Sequence, residues 1–254
     1  MIWKTPDNRC PIFVSFSGID GAGKSTQIAN LQLRLNKAGV HVRLITFWND
    51  VARLTRIREV SGHTLFNGDK GVGTPAAPVH RRDKNVQSWY MTAVRLCLYF
   101  VDAISLRVVV AKALRGDADL VIFDRYIYDE LANLSLHNGI TRAYVRLLLM
   151  IVPQPEVRFL LDADPVQACA RKPEYPLAFV RNSRASYLAL SKLVGGVTII
   201  APQNIEDVGR QVIQKVIEKL STEVAPGRQV ETIAGGGPGI PDQLDRRDAG
   251  PAAF

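Results

Sequence analysis

A glycine-rich stretch from Gly18 to Thr26 constrains this chain more than any other feature. It reads G-x-x-x-x-G-K-S, follows the apolar run at residues 12–16, and comes directly before a helical pattern. A short strand, a glycine turn and a helix together aim backbone N–H groups and the positive end of a helix at one point, where a polyphosphate binds. The stretch therefore predicts a nucleotide-binding loop rather than a chance glycine turn.

The residue types in this loop have separate predicted roles. The glycines let the backbone turn closely around phosphate, Lys24 reaches the β- and γ-phosphates, and the Ser25 hydroxyl ligates Mg²⁺. The predicted nucleotide-binding residues are Gly18, Gly21, Ala22, Gly23, Lys24, Ser25 and Thr26.

An acidic residue follows the apolar run at residues 120–123. Asp124 stands where a buried strand ends, and a carboxylate at that place orients Mg²⁺ or its water in phosphate-loop enzymes. Arg125 comes next and carries a planar donor fork suited to a phosphate. Ser25 and Asp124 are therefore the predicted metal ligands, and Arg125 is predicted to face the same crevice.

The order of apolar runs predicts an α/β fold. Strand-like runs at residues 12–16, 40–47, 120–123, 157–161 and 197–200 alternate with helical patterns. This alternation is typical of a parallel sheet covered by helices. We predict one domain over residues 1–220, with an inserted loop at about 61–85 and a lid at about 171–184. A Gly/Pro-rich stretch at residues 221–254 is predicted to be a flexible tail.

Charge, cysteine content and apolar windows limit which partners and which cellular location we expect. A formal charge of +8 favours anionic partners such as nucleotides, but no aromatic and basic nucleic-acid-binding module is visible. The three scattered cysteines have no C-x-x-C spacing and predict neither a disulfide framework nor a zinc site. The start lacks a secretory signal, and charges interrupt the most apolar window, residues 96–114. We therefore expect a cytoplasmic protein without a membrane span.

Polar residues on two further segments are candidates for binding the phosphate acceptor. Trp48 and Asp50 follow the second strand, where side chains of a parallel sheet face the ligand crevice. Arg95 and Asp102 lie two turns apart on a long, mostly apolar helix. Core packing for Trp48, and a structural ion pair between Arg95 and Asp102, are the alternatives to a pocket.

These features together resemble the thymidylate kinase family of nucleoside monophosphate kinases. The resemblance rests on the stretch from Gly18 to Gln27, on Asp124-Arg125-Tyr126, and on lid-side residues, namely Arg171, Phe179, Arg184, Tyr187 and Leu188. It spans residues 12–220. It implies a P-loop NTPase three-layer sandwich with a five-stranded parallel sheet flanked by helices, ATP and Mg²⁺ at the loop, and a homodimer.

The resemblance also assigns roles to single residues. Asp20 matches an acid near the acceptor's sugar, and Arg125 matches an arginine that binds the acceptor's phosphate. Because Ala22 stands where some members carry an arginine, the catalytic arginine is expected from the lid. The catalytic residues so predicted are Lys24, Asp20, Arg125, Arg171, Arg181 and Arg184. With the candidates taken from their positions in the chain added, the predicted acceptor-binding residues are Asp20, Trp48, Asp50, Arg95, Asp102, Arg125 and Tyr126.

Two departures from the family lie on the acceptor side. The family's Arg-Glu-Pro after the second strand is replaced by the segment from Thr46 to Asp50, and its base-contacting arginine falls at Asp102. The leading hypothesis is ATP- and Mg-dependent phosphoryl transfer to a nucleoside monophosphate, which needs charge neutralisation but no general base. One alternative is transfer to a nucleoside hydroxyl, with Asp50, Asp102 or Asp129 as the base. The other is a non-catalytic ATP-binding regulator.

Overall fold

A parallel sheet forms the centre of the molecule. The computed structural model describes residues 11–51 and 89–223. Within these residues five strands pair in the order β2-β3-β1-β4-β5, every pair parallel. The strands are β1 (Ile12–Ser17), β2 (Val42–Thr46), β3 (Leu120–Asp124), β4 (Val157–Leu161) and β5 (Val197–Ile200). The predicted α/β fold with a five-stranded parallel sheet is confirmed.

Helices connect the strands and cover the sheet. They are α1 (Lys24–Lys37), α2 (Trp89–Ala113), α3 (Ile127–Leu131), α4 (Gly139–Ile151), α5 (Pro165–Arg171), α6 (Leu177–Val194) and α7 (Ile205–Glu223). A π-helical turn, Phe47–Val51, follows β2. None of the helices in the described residues has the length and apolar character needed to cross a membrane.

The sheet has an apolar core on each face. Phe13 of β1 belongs to a buried cluster with side chains of α2, α3 and α4, whereas Val14 and Phe16 belong to a cluster with α1 and α7. Successive side chains of a strand point to opposite faces, so one strand serves both cores. The two clusters account for a three-layer arrangement of helix, sheet and helix.

Strand register brings the ends of four strands to one edge. Phe16 and Thr46 both lie opposite Asp124, and Ser17 lies opposite Leu160. The segments that follow β1, β2, β3 and β4 therefore all start at the same edge of the sheet. In a parallel sheet this is the edge where ligands bind.

The predicted bounds of the inserted loop, the tail and the lid fall only partly within the described residues. The inserted loop predicted at 61–85 lies outside the described residues, as does the tail beyond residue 223. Helix α7 continues to Glu223, so the first residues of the predicted tail are helical. The segment predicted as a lid, residues 171–184, consists of the end of α5, a short connection and the first turns of α6.

Candidate active site

The loop between β1 and α1 needs glycine at two positions. Gly18 has a φ of +143° and Gly21 a φ of +82°, both in the region that favours glycine. A Cβ on Gly18 would lie 2.4 Å from the Leu161 carbonyl oxygen, and a Cβ on Gly21 would lie 2.5 Å from the Ala168 carbonyl oxygen. The two glycines therefore let β4 and α5 pack directly against the predicted nucleotide-binding loop, residues 18–26, which we call the phosphate loop. This packing role adds to the predicted one.

Lys24 is the first residue of α1, and its side chain folds back over the loop. Its Nζ donates hydrogen bonds to the carbonyl oxygens of Gly18 at 2.7 Å and Ile19 at 2.9 Å. The residue is only 6% exposed. Burial, followed by the charge of Arg125, lowers the pKa of Lys24 to about 8. The loop thus holds a buried amine at its centre that an anion would stabilise in the charged form.

The other loop residues surround the start of α1. Gly23 is the N-cap of the helix, with a φ of 87°. Ser25 and Thr26 in the first turn are exposed. Ala22 is partly buried against apolar side chains. The first N–H groups of a helix have no partner within the helix and carry partial positive charge, so the exposed hydroxyls stand at an anion-binding end.

Asp124 ends β3, next to the strand that leads into the phosphate loop. Burial raises the pKa of Asp124, although the charges of Arg125 and Lys24 act in the opposite direction. In the part of the chain that the structure describes, no group of three or more His, Cys, Asp or Glu side chains is arranged to hold a metal. One hydroxyl and one carboxylate instead fit Mg²⁺ that takes its remaining ligands from phosphate and water. Ser25 and Asp124 are suited to such a shared site.

Arg125 has an unusual backbone conformation. Its φ of +67° makes it the one non-glycine residue in the described ranges with a positive φ. Such a conformation costs on the order of 1–3 kcal/mol and is typically found at functional sites. Its guanidinium donates a hydrogen bond to Asp20, and Nη1 lies 3.7 Å from Asp129 Oδ1. The strained turn therefore accompanies a guanidinium held beside the phosphate loop.

Asp20 lies in the phosphate loop within reach of two basic side chains. Besides the bond from Arg125, its Oδ1 lies 3.7 Å from Lys172 Nζ. Burial opposes ionisation of this carboxyl, but the charges of Arg125, Lys24 and Lys172 hold the pKa of Asp20 well below its usual range. A carboxylate with so low a pKa is a weak proton acceptor, so Asp20 fits an electrostatic role rather than that of a general base.

Asp129 is the buried carboxylate of the site. It lies in α3 and is 5% exposed. Its Oδ2 accepts hydrogen bonds from Ser17 Oγ at 2.7 Å and from the backbone N–H of Tyr126 at 3.1 Å. Its Oδ1 accepts a hydrogen bond of 2.7 Å from the Tyr187 hydroxyl. The sequence marks this residue only as an alternative base, since its partners on β1 and α6 are distant along the chain.

The three arginines predicted for the lid take different positions. Arg171 ends α5 and donates a hydrogen bond of 3.1 Å to the carbonyl oxygen of Gly21 in the phosphate loop. Arg184 on α6 forms two hydrogen bonds of 2.6 Å with Asp162, the residue after β4. Arg181 is exposed on the same helix. Among these three, the one that contacts the phosphate loop is Arg171, and the pairing of Arg184 was not predicted.

Two acceptor candidates after β2 have local structural contacts. Trp48 is partly buried, and its ring meets the fully buried ring of Phe47 edge-on, with 5.8 Å between the centroids. Asp50 is exposed, and its Oδ2 accepts a hydrogen bond of 2.7 Å from the backbone N–H of Thr46. Core packing thus accounts for Phe47, and Trp48 packs against the same core while remaining partly exposed. A backbone hydrogen bond occupies one oxygen of Asp50.

Two of the other acceptor candidates, Tyr126 and Asp102, are buried. Tyr126 is fully buried, and its hydroxyl donates a hydrogen bond to the carbonyl oxygen of Pro153. The structure therefore places Tyr126 in the core, because the ring packs edge-on against Phe13. Asp102 is 1% exposed within α2. Arg95 also lies in α2, and its side chain is outside the described part.

Comparison with known proteins finds several thymidylate kinases among the relatives of this chain. No family model matches the chain. It is 28% identical over 212 residues to the probable thymidylate kinase of Pyrobaculum aerophilum, which covers 80% of this chain and 95% of that protein. It is 27% identical over 218 residues to the probable thymidylate kinase of Thermococcus gammatolerans, covering 82% and 97% respectively. It is 32% identical over 174 residues to the thymidylate kinase of Chlorobium phaeobacteroides, covering 66% and 69%.

Proposed function

This chain belongs to the thymidylate kinase family, and from that premise we propose that it transfers the γ-phosphoryl group of ATP, with Mg²⁺, to a nucleoside monophosphate. It is a phosphotransferase of the nucleotide kinase class. The observation that best supports a monophosphate acceptor is the guanidinium of Arg125, which the strained turn holds against Asp20 of the phosphate loop.

The donor side of the site supplies positive charge where the γ-phosphoryl group leaves. The N–H groups of the loop, the first turn of α1 and the buried amine of Lys24 would hold the β- and γ-phosphates. Ser25 and Asp124 would hold Mg²⁺, which when bound neutralises charge on the transferring group. These groups need only orient and stabilise charge, because phosphoryl transfer asks little covalent chemistry of the protein.

The acceptor side needs arginines rather than a base, because a monophosphate is already ionised at neutral pH. Arg125 offers a planar fork for that phosphate. Among the lid arginines we propose Arg171 as the catalytic one, since it already contacts the loop at Gly21. Arg184 would have to leave its two bonds with Asp162 before it could reach a phosphate.

Transfer to a nucleoside hydroxyl would need a free carboxylate as the base. Asp50 accepts a bond from the Thr46 N–H, and Asp129 is buried with three donors on its two oxygens. The donors on Asp129 engage both of its oxygens, and burial closes the carboxylate off from an acceptor. These contacts favour the monophosphate acceptor.

The experiment is a screen of ATP consumption over nucleoside monophosphates and nucleosides, with product identity determined by mass. Lys24→Ala should lower kcat for every accepted substrate by at least about 100-fold. Arg125→Ala should raise the KM of the acceptor by about tenfold or more and leave the KM of ATP little changed. Arg34→Ala, at an exposed position near the end of α1, is the control for loss of an arginine.

Two results would contradict the proposal. Transfer confined to nucleosides, with an unchanged acceptor KM in Arg125→Ala, would establish the hydroxyl alternative. Tight ATP binding by the wild-type protein without transfer to any acceptor would instead identify a non-catalytic regulator.

A further inference from the structure

The position of Arg125 depends on a neighbouring carboxylate that phosphoryl transfer does not itself require. Asp129 accepts a hydrogen bond from the N–H of Tyr126, the residue directly after Arg125, and its other oxygen lies 3.7 Å from the guanidinium. On the other side, the Arg125 N–H donates to the Phe16 carbonyl oxygen at 3.1 Å. One carboxylate thus holds both the strained backbone turn and the side chain that the turn presents.

We propose that Asp129 is a positioning residue, which fixes Arg125 for the acceptor's phosphate and links its position to helix α6 through the Tyr187 hydroxyl. This inference rests on the proposed function for the role of Arg125. It does not make Asp129 a catalytic residue, because its carboxylate is closed off from solvent whereas the Arg125 side chain is partly exposed.

The exposure of the two carboxylates around Arg125 distinguishes their roles. The side chain of Asp129 is 3% exposed, whereas that of Asp20 is 21% exposed. An incoming phosphate approaches from solvent, so it meets Arg125 on the side of Asp20 and competes with that carboxylate. The buried contact with Asp129 remains in place, and it fixes the guanidinium whether or not Asp20 is bound to it.

Further hydrogen bonds connect Asp129 to two other elements of the site. Ser17, which donates to Asp129, is the last residue of β1 and directly precedes the phosphate loop. Tyr187 lies on α6 one turn beyond Arg184, and burial keeps the pKa of its hydroxyl well above the ordinary value, so the hydroxyl stays a donor. The helix that follows the lid connection is therefore bonded to the carboxylate that orients Arg125.

Steady-state kinetics of four variants tests the inference. Asp129→Asn keeps the shape and removes the charge, while Tyr187→Phe and Ser17→Ala each remove one donor. We expect the acceptor KM to rise about tenfold or more in Asp129→Asn and less in the other two, with the ATP KM within about twofold of wild type. Asp119→Asn is the matched control, because Asp119 bonds a backbone N–H, that of His41, at the far edge of the sheet.

An unchanged acceptor KM in Asp129→Asn would overturn the inference, even if the variant were less stable. A purely structural role would lower the amount of folded enzyme and leave both KM values as they are. If Asp129→Asn does not fold, Tyr187→Phe and Ser17→Ala decide the question by the same comparison of the two KM values.

A measurement that needs no catalysis separates this inference from the proposed function. Urea unfolding of Arg125→Gln, Tyr187→Phe and the double variant should show midpoint shifts that do not add, because Asp129 joins the two side chains. The pair Arg125→Gln with Asp119→Asn should be additive. Non-additive shifts in a protein that transfers to no monophosphate would refute the proposed function but support the positioning of Arg125. Transfer with fully additive shifts would refute the inference.

Discussion

Burial of Lys24 makes the stability of this protein depend on pH in a way that can be measured. The pKa of Lys24 falls from its ordinary 10.5 to about 8 in the folded chain and returns to the ordinary value on unfolding. Between these two pH values the unfolded state keeps a proton that the folded state has released. Stability should therefore rise with pH across this window. A gap of about 2.5 pH units, at about 1.4 kcal/mol each, corresponds to between about 3 and 4 kcal/mol.

The perturbation is Lys24→Met, which keeps the apolar stem and removes the amine. Urea unfolding of both proteins between pH 7 and pH 11 gives the difference in their free energies of unfolding. Other titrating groups are present in both proteins and largely cancel. The difference should move in favour of the wild type by about 3 kcal/mol as the pH rises from 8 to 10.5. Lys37→Met, at the exposed end of α1, is the control for the loss of a positive charge.

A difference that stays constant over this pH range would refute the reasoning. It would mean that the Lys24 amine is solvated in the folded protein and is not held against the loop carbonyls. A bound polyphosphate should restore the charged amine, so ATP binding above pH 8 should take up a proton. Calorimetry in two buffers of different ionisation enthalpy measures that uptake directly.

Two further substitutions test the packing of the loop and the nature of the acceptor. Gly21→Ala should lower stability by about 3 kcal/mol or more, because its Cβ would lie 2.5 Å from the Ala168 carbonyl oxygen at a positive φ. Gly139→Ala, where a Cβ would meet nothing within 4 Å, is the control, and equal losses would contradict the prediction. Asp50→Asn discriminates between acceptors: a monophosphate kinase should lose only about 1 kcal/mol of stability from the weakened bond to Thr46. A loss of kcat of about 100-fold or more would indicate a deprotonated hydroxyl.

Features encoded within a short stretch of chain could be predicted from the sequence. The loop from Gly18 to Thr26 and the acid at Asp124 are readable because each depends on a strand end and the few residues that follow it. The five strands were predictable for the same reason, since short apolar runs between helical patterns indicate buried parallel strands. Lysine and serine at fixed places in the loop then determined the predicted chemistry of the donor side.

The partners of the site's charged residues depend on contacts between distant segments. Arg184 pairs with Asp162, and Ser17 pairs with Asp129. The two members of each pair are too far apart along the chain for a helix or strand repeat to relate them. The burial of Tyr126 likewise depends on Phe13, from a strand early in the chain.

The sequence by itself determined the loop and the strand ends, and it predicted their chemistry. The tertiary structure decided which charges meet there, because the strand order β2-β3-β1-β4-β5 places β1 between two strands that come much later in the chain. Asp20 reaches Arg125, and Tyr187 reaches Asp129, only once that order is formed. The predicted acceptor site therefore stays a prediction, while the long-range partners of Arg125 and Asp129 follow from packing that local sequence does not encode.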